Sequence, residues 1–299
     1  MTTITAIALL GFGEVGQALA DDLQRHQSLR LSAWDVKFTD PASGAFLAAR
    51  ARLVRCAASA PDAARGAELV ISAVTAAQTL DAARAAAPGL APATWYLDLN
   101  SASPGHKQQA ARAVEAAGGR YVEAAVMSPI HPRRSAVPML LGGPHAAAFA
   151  GQAQALGFSA ATVFSPALGA ASAAKMCRSV IIKGLEAILA ESLLTARHYQ
   201  VDDTVLASLQ DLLPGHDWPK LAAYMISRSV AHGARRAEEM REVARTVAEA
   251  GLEPLMSEAC AQRQDWAAQF GSALESPALT AMLDTMADTI AGPMKRVAP

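Results

Sequence analysis

Residues 4–16 read Ile-Thr-Ala-Ile-Ala-Leu-Leu-Gly11-Phe12-Gly13-Glu14-Val15-Gly16, an apolar run ending in G-x-G-x-x-G, and residues 17–23 then take up helical spacing. A strand that feeds a glycine turn and opens a helix is suited to holding a pyrophosphate. Gly11 permits the tight turn, Gly13 lets the backbone approach the phosphates, and Gly16 lets the helix pack closely on the strand. The free amides and positive dipole end of that helix face the anion. Phe12, Glu14 and Val15 complete the loop as cofactor-binding candidates. Asp35 closes a second apolar run, residues 29–34, and stands 19 residues after Gly16. A carboxylate there can accept from the adenosine ribose hydroxyls and repel a 2′-phosphate, which favours NAD over NADP. Arg30 and Lys37 lie close by and moderate that preference.

Lys175 is the second residue with chemistry to offer. It follows Gly169-Ala-Ala-Ser-Ala-Ala on an otherwise apolar helix. Small side chains there let the helix come close to a ligand such as a nicotinamide. Lys175, Ser179, Ile182 and Glu186 share one helical face, with Lys183 near its edge. A lysine among apolar neighbours has its charged form disfavoured, so it can exchange a proton near neutral pH as a general acid/base. The alternative is a lysine that snorkels its ammonium to water.

In an open parallel sheet, ligands bind outside the carboxyl ends of the strands, and three segments follow such ends. Val74 and Thr75 open the first, placed to pass under the cofactor's phosphates and nicotinamide ribose. Asp98-Leu-Asn100-Ser101-Ala-Ser103-Pro104 is a polar cluster at a strand-to-helix turn, readable as a ligand site, a helix cap, or both. Residues 125–134 carry Met127, Ser128, His131, Arg133 and Arg134 on a loop stiffened by Pro129 and Pro132. That loop is either an anion-binding element or a solvated basic turn.

The elements that must position these residues follow from periodicity. Up to about residue 165, short apolar runs alternate with helical stretches, which predicts a parallel sheet with crossover helices. After the first two strands, further strands are predicted at residues 53–55, 68–75, 94–100, 121–126 and 139–142. Beyond that point almost everything reads as helix, with breaks at 214–215 and 251–254. Residues 168–199 are apolar on more than one face, so Ile181, Ile182, Leu185, Ile188, Leu189, Leu193 and Leu194 are all expected to be buried, in a spine between domains and in a subunit interface. The fold class is therefore α/β: a Rossmann-type doubly wound parallel sheet over residues 1–165, then an all-α domain over 166–299 that begins with a long interdomain helix.

The chain of 299 residues suits two domains, and 52% hydrophobic with 18% charged residues supplies ample core. A net charge of −1 gives no basis for a nucleic acid or anionic membrane partner. Cys56, Cys177 and Cys260 show neither metal spacing nor a disulfide framework, and a reducing cytoplasm fits them best. The apolar start has no preceding Lys or Arg and is interrupted by Glu14, unlike a signal peptide. No run of 18 apolar residues predicts a membrane span.

The four chemical segments, in this order, resemble the β-hydroxyacid dehydrogenase family, the relatives of 6-phosphogluconate dehydrogenase. Gly11-Phe-Gly13-Glu-Val-Gly16 matches the family's dinucleotide motif. Asp98-Leu-Asn-Ser101-Ala-Ser-Pro104 resembles its D-x-S-T-x-x-P segment, and Glu123-Ala-Ala-Val126 the opening of its D-x-P-V-S-G-G substrate loop. Gly169-Ala-Ala-Ser-Ala-Ala-Lys175 resembles its G-x-G-x-x-x-K helix. The segments 174–186 and 232–240 are similar to a subgroup whose C-terminal domain is described as phosphogluconate-dehydrogenase-like, without an assigned function.

The resemblance implies that Lys175 is the general acid/base and that Ser101, Met127 and Ser128 lie along the substrate. In related enzymes the helical domain completes the substrate pocket, often from the partner subunit. That implies a homodimer and makes His232, Arg235 and Arg236 candidates for an anionic group. Two departures stand out. Ser179 replaces the usual Asn, offering a shorter side chain with one donor instead of two. Met127-Ser128-Pro129 replaces Ser-Gly-Gly, and Pro129 offers no N–H, so the anion pocket must be rebuilt, with His131, Arg133 or Arg235 as candidates to supply the charge. The expected function is an NAD-dependent oxidoreductase acting on a secondary alcohol, a small anionic hydroxy acid. Imine reduction on the same scaffold and a non-catalytic, dimeric NAD sensor are the alternatives.

Overall fold

The alternation of apolar runs and helix-spaced segments becomes a β/α succession in the computed structural model, which describes residues 4–26 and 29–291. The first half runs β1 (Ala6–Leu10), α1 (Glu14–His26), β2 (Arg30–Trp34), α2 (Gly44–Ala51), β3 (Arg55–Cys56), α3 (Ala60–Ala64), β4 (Leu69–Ser72), α4 (Thr79–Ala86), β5 (Trp95–Asp98), α5 (Pro104–Ala116) and β6 (Arg120–Val126). It ends with β7 (Met139–Gly142), α6 (Ala146–Ala155) and β8 (Ala161–Ser165). Among the described residues, eight strands form one sheet in the order β3-β2-β1-β4-β5-β6-β7-β8. Every residue of β1 and β4 is buried, as expected of strands covered on both faces. Side chains alternate between two cores: Leu9, Ile71, Leu97 and Val122 line one, and Leu10, Val70, Tyr96 and Tyr121 the other.

Three details depart from the sequence reading. The sheet is mixed, because β7 pairs antiparallel with β6 while β8 runs parallel to β7. Residues 127–138 contain no α-helix to carry the chain across the sheet, so the chain turns back on itself. The strand read at 53–55 begins two residues later, since Leu53 adopts a left-handed φ of +55° and is exposed. Strand β8 was missed altogether. It is an edge strand whose Thr162, Val163 and Phe164 are all exposed, so it lacks the apolar alternation that marks a strand.

A buried polar network closes the end of β5. Asp98 and Lys107, on α5, are each about 1% exposed and lie 2.8 Å apart. Lys107 Nζ also donates to the Asp98 carbonyl at 3.1 Å. The Tyr121 hydroxyl donates to Asp98 Oδ2 at 2.6 Å. Burial and the Asp98 carboxylate push the Tyr121 phenol well above its usual range, so it remains a donor. Ser103 caps α5 by accepting from the His106 amide at 3.3 Å, with Pro104 opening the helix. The capping role thus falls to Ser103 and leaves Ser101 to other contacts.

The chain divides into two compact units between Cys177 and Arg178. The sequence reading put the change at 165/166; the division falls inside α7 (Ala170–His198), whose first turns belong with the sheet. The second unit continues with α8 (Asp202–Leu212), α9 (Trp218–Glu249), α10 (Leu255–Ala267) and α11 (Leu279–Ala291). Leu189, Leu193, Trp218, Ile226, Phe270, Leu283 and Met286 form its core. Of the apolar residues of α7 expected to be buried within the chain or in a subunit interface, Leu189 and Leu193 are buried within the unit. Ile181, Leu185 and Ile188 are 65%, 38% and 53% exposed and form one stripe of helical spacing on the surface of this unit. Helix α9 bends at His232 (φ −132°, ψ 16°). Gly233 follows, packed so closely on α10 that a β carbon would overlap the Gln264 carbonyl oxygen. No helix among the described residues is long and apolar enough to cross a membrane.

Two stability predictions follow. Lys107→Met strands the Asp98 carboxylate and should cost about 3–5 kcal/mol in urea unfolding, and Asp98→Asn in addition should recover part of it. A loss under about 1 kcal/mol for the single change would show that Asp98 does not rely on the lysine. Gly233→Ala pits about 1 kcal/mol of helix propensity against a backbone overlap. The overlap should win, with a net loss of about 1–3 kcal/mol, and a gain in stability would refute the close approach.

Candidate active site

The glycine turn is built as its spacing requires. Gly11 has φ +88°, and its amide donates to the Trp34 carbonyl at 2.9 Å. A β carbon at Gly11 would overlap the Ala73 carbonyl, and one at Gly16 the Gly11 carbonyl. Phe12 is buried, and its amide donates to Asp35 Oδ2 at 2.7 Å. Asp35 Oδ1 accepts from the Lys37 amide at 2.9 Å. Asp35 therefore shapes the loop and caps the short 3-10 turn Val36–Thr39, and each of its oxygens keeps a lone pair for a further donor. Gly13 and Glu14 are exposed and Val15 is half-buried. Beyond Gly13 and its chain neighbours, no atom lies within 4 Å of the place a Gly13 β carbon would take. The first amides of α1 lack intrahelical acceptors. Open space, free amides and a flanking carboxylate together fit a dinucleotide.

The next walls come from the ends of β4 and β5. The Val74 amide donates to Asn100 Oδ1 at 2.7 Å, and Asn100 Nδ2 donates to Ser72 Oγ at 2.9 Å. Asn100 is buried and ties the two strand ends together, so its side chain shapes the wall. Thr75 is exposed beside it.

Ser101 and Lys175 meet at the carboxyl edge of β5. Lys175 Nζ donates to Ser101 Oγ at 2.6 Å, and both residues are half-buried. Two buried acids stand on the neighbouring strands β5 and β6. Asp98 Oδ1 accepts from the Asn100 amide at 2.9 Å. Glu123, at the matching level of β6, accepts from the amides of Gly169 at 2.8 Å, Ala171 at 3.2 Å and Ser172 at 3.4 Å. Lys107 was not read from sequence as part of the site; Asp98 and Glu123 each opened a motif segment, but the contacts they make here were not read. An amine beside a hydroxyl can hold a proton at Nζ and exchange it with a third oxygen brought to the pair.

The loop after β6 is arranged differently. The Met127 amide donates to the Pro138 carbonyl at 2.9 Å, and Ser128 is half-buried. His131 and Arg133 are exposed, and the His131–Pro132 peptide is cis. Arg134 turns towards α1, where it donates to the Ala18 carbonyl at 2.8 Å and pairs with Asp21 at 3.3 Å and Asp22 at 3.0 Å. One of the basic residues is thus a structural anchor. Burial works against ionised Asp21, but Arg52 and Arg134 prevail and hold its carboxyl below the usual range.

In the second unit, Ser179 is buried one turn beyond Lys175 along α7. Lys183 is more buried than Lys175 but is ion-paired with Glu239. Arg235 is largely exposed and pairs with Glu239 at 3.2 Å. Arg236 is paired with buried Glu186, which also accepts from Gln264 Nε2 at 3.2 Å, so its charge is already met within the unit. Burial pushes the Glu186 carboxyl up despite Arg236. His232 is half-buried at the bend of α9.

Residues 6–169 match the family described as the NAD binding domain of 6-phosphogluconate dehydrogenase. Residues 196–267 match the domain of unknown function DUF1932. No curated protein matches the chain. A conserved hypothetical protein from Sinorhizobium meliloti 1021 is 36% identical, with a TM-score of 0.74 over 96% of this chain and 97% of its own. A conserved protein described as structurally similar to 3-hydroxyacid dehydrogenases is 29% identical, with a TM-score of 0.68 over 88% of this chain and 97% of its own. The Mycobacterium tuberculosis 3-hydroxyisobutyrate dehydrogenase, solved with L-serine, shares the fold at 19% identity, with a TM-score of 0.70 over 95% of this chain and 99% of its own. With a glycine turn, a strand-end acid and a lysine helix in the order the motifs required, the chain belongs to the 6-phosphogluconate dehydrogenase-like family of NAD-binding proteins, with a DUF1932 C-terminal domain.

Proposed function

We propose that this protein is an NAD-dependent oxidoreductase that interconverts a secondary alcohol and a ketone on a small hydroxy acid, with Lys175 as general acid/base. The observation that carries the reading is the 2.6 Å contact of Lys175 Nζ with Ser101 Oγ at the carboxyl edge of the sheet. That edge is where open α/β sheets bind ligands. A bound nicotinamide dinucleotide supplies the hydride acceptor or donor. In the oxidative direction the neutral amine of Lys175 takes the substrate hydroxyl proton, and in reduction the ammonium returns it. Ser101 accepts from the ammonium and, by rotating its hydroxyl, donates to the amine, so the pair is satisfied in both protonation states. Ser179, one turn along α7, offers a further hydroxyl to a substrate oxygen.

The remaining roles extend this reading. Asp35 supports NAD over NADP, because its carboxylate repels a 2′-phosphate. Ser128, His131 and Arg133 on the loop after β6, and His232 and Arg235 on α9, are the candidates to meet the substrate's anionic group. The exposed stripe of Ile181, Leu185 and Ile188 supports a homodimer, since an apolar patch of this kind marks an interaction surface.

The decisive experiment is a turnover screen with NAD and NADP on 3-hydroxyisobutyrate, L-serine and related hydroxy acids, with cyclic imines in parallel. Lys175→Ala should lower turnover by about 10²–10⁴-fold while NAD binding stays within a few-fold. Full activity in that variant, or imine reduction without alcohol oxidation, would refute the assignment. In thermal shift, NAD at a hundred times its Kd should stabilise the protein by about 2.7 kcal/mol, and NADP at the same concentration by less. A larger shift with NADP would overturn the role given to Asp35.

A further inference from the structure

We propose that Glu123 is a positioning residue for Lys175, and that two buried carboxylates on neighbouring strands hold the two halves of the Lys175–Ser101 pair. The proposal rests on the reading of Lys175 as the proton-transfer group.

Asp98 and Glu123 are Cα partners in the β5–β6 register, and both are fully buried. Each uses its oxygens on a different element. Asp98 takes the Asn100 amide and so bends the chain into the loop whose next residue is Ser101. Lys107 and Tyr121 meet its charge from within the core.

Among the described residues Glu123 has no ion-pair partner. Its oxygens are met by the amides of Gly169, Ala171 and Ser172, at 2.8, 3.2 and 3.4 Å, where α7 begins. A carboxylate at a helix N-terminus is favoured by the dipole and by charge-assisted bonds, and a fully buried one has no water to turn to. Sliding α7 along β6 would therefore leave a buried charge unmet. The neighbouring strand is cut to fit as well. Gly142 of β7 is the register partner of Glu123, and a β carbon there would overlap its Oε1.

Lys175 leaves α7 one turn after Ala171, whose amide Glu123 holds. The reach of Nζ to Ser101 Oγ is thus set by two carboxylate anchors at one level of the sheet. Misplacing a reacting group by about 1 Å can cost about 10²-fold in rate, which is the scale on which such anchoring matters.

The chain has six lysines, so the ε-carbon and ε-nitrogen NMR signals of lysine-labelled protein can be assigned, with Lys175 identified by its loss in Lys175→Arg. In the wild type the Lys175 signal should stand apart from those of exposed Lys37 and Lys220. Glu123→Gln keeps the shape but turns an amide N–H towards a backbone N–H. It should move the Lys175 signal more than halfway to theirs. Glu123→Asp keeps the charge on a shorter stem and should move it less. Leu23→Ala, a core truncation on α1, serves as a control that lowers Tm without touching α7, and it should leave the signal in place. An unmoved Lys175 signal in Glu123→Gln, or an equal shift in Leu23→Ala, would overturn the proposal. Full turnover in Lys175→Ala would instead refute the functional reading and leave the NMR outcome to stand or fall separately. If Glu123→Gln does not fold, Gly142→Ala, which crowds the same carboxylate, takes its place with the same expected shift.

Discussion

A negative charge buried in a sheet is tolerated only when every oxygen finds a partner, and this constraint organises the first unit. Glu123 meets it with the N-terminal amides of α7, and Asp98 with a lysine, a tyrosine and a backbone amide. The partners come from different elements in each case. Satisfying the two carboxylates therefore fixes the start of the lysine helix and the loop after β5 relative to the sheet. The contact between Lys175 and Ser101 is a consequence of that double anchoring.

The glycine turn uses the complementary device of removing atoms. Side chains are absent at Gly11 and Gly16 because backbone carbonyls occupy their places. At Gly13 nothing of the protein occupies that place, and the turn faces solvent. Asp35 links the two devices, since its carboxylate holds the Phe12 amide inside the turn. A residue usually read for its action on a ribose is thus also part of what gives the loop its shape.

The second unit places its charges by pairing them. Lys183 with Glu239, and Glu186 with Arg236, each pair a buried residue with a half-buried one in the helical unit, where an unpaired charge would be costly. Lys183 is held against the Glu239 carboxylate, and Lys175 contacts the Ser101 hydroxyl at 2.6 Å. A lysine's depth alone is a poor guide to its chemistry.

Much of this was legible in the sequence, because it depended on local rules. The period of the apolar runs marked seven of the eight strands in place or within a few residues, and the all-helical second half. The glycine spacing marked the cofactor turn, and the small-residue approach to Lys175 marked a helix that comes close to something. The edge strand β8 was invisible, since its exposed residues carry no alternation. The reversal at β7 was invisible because strand direction is set by the path of the connecting chain. The roles of Arg134, Arg236 and Glu123 were equally hidden, since each is defined by a partner 46 to 116 residues away. Sequence determined which groups are available and on which element each one lies. Tertiary structure decided which charges are neutralised and which remain free, because burial and pairing are properties of distant segments brought together.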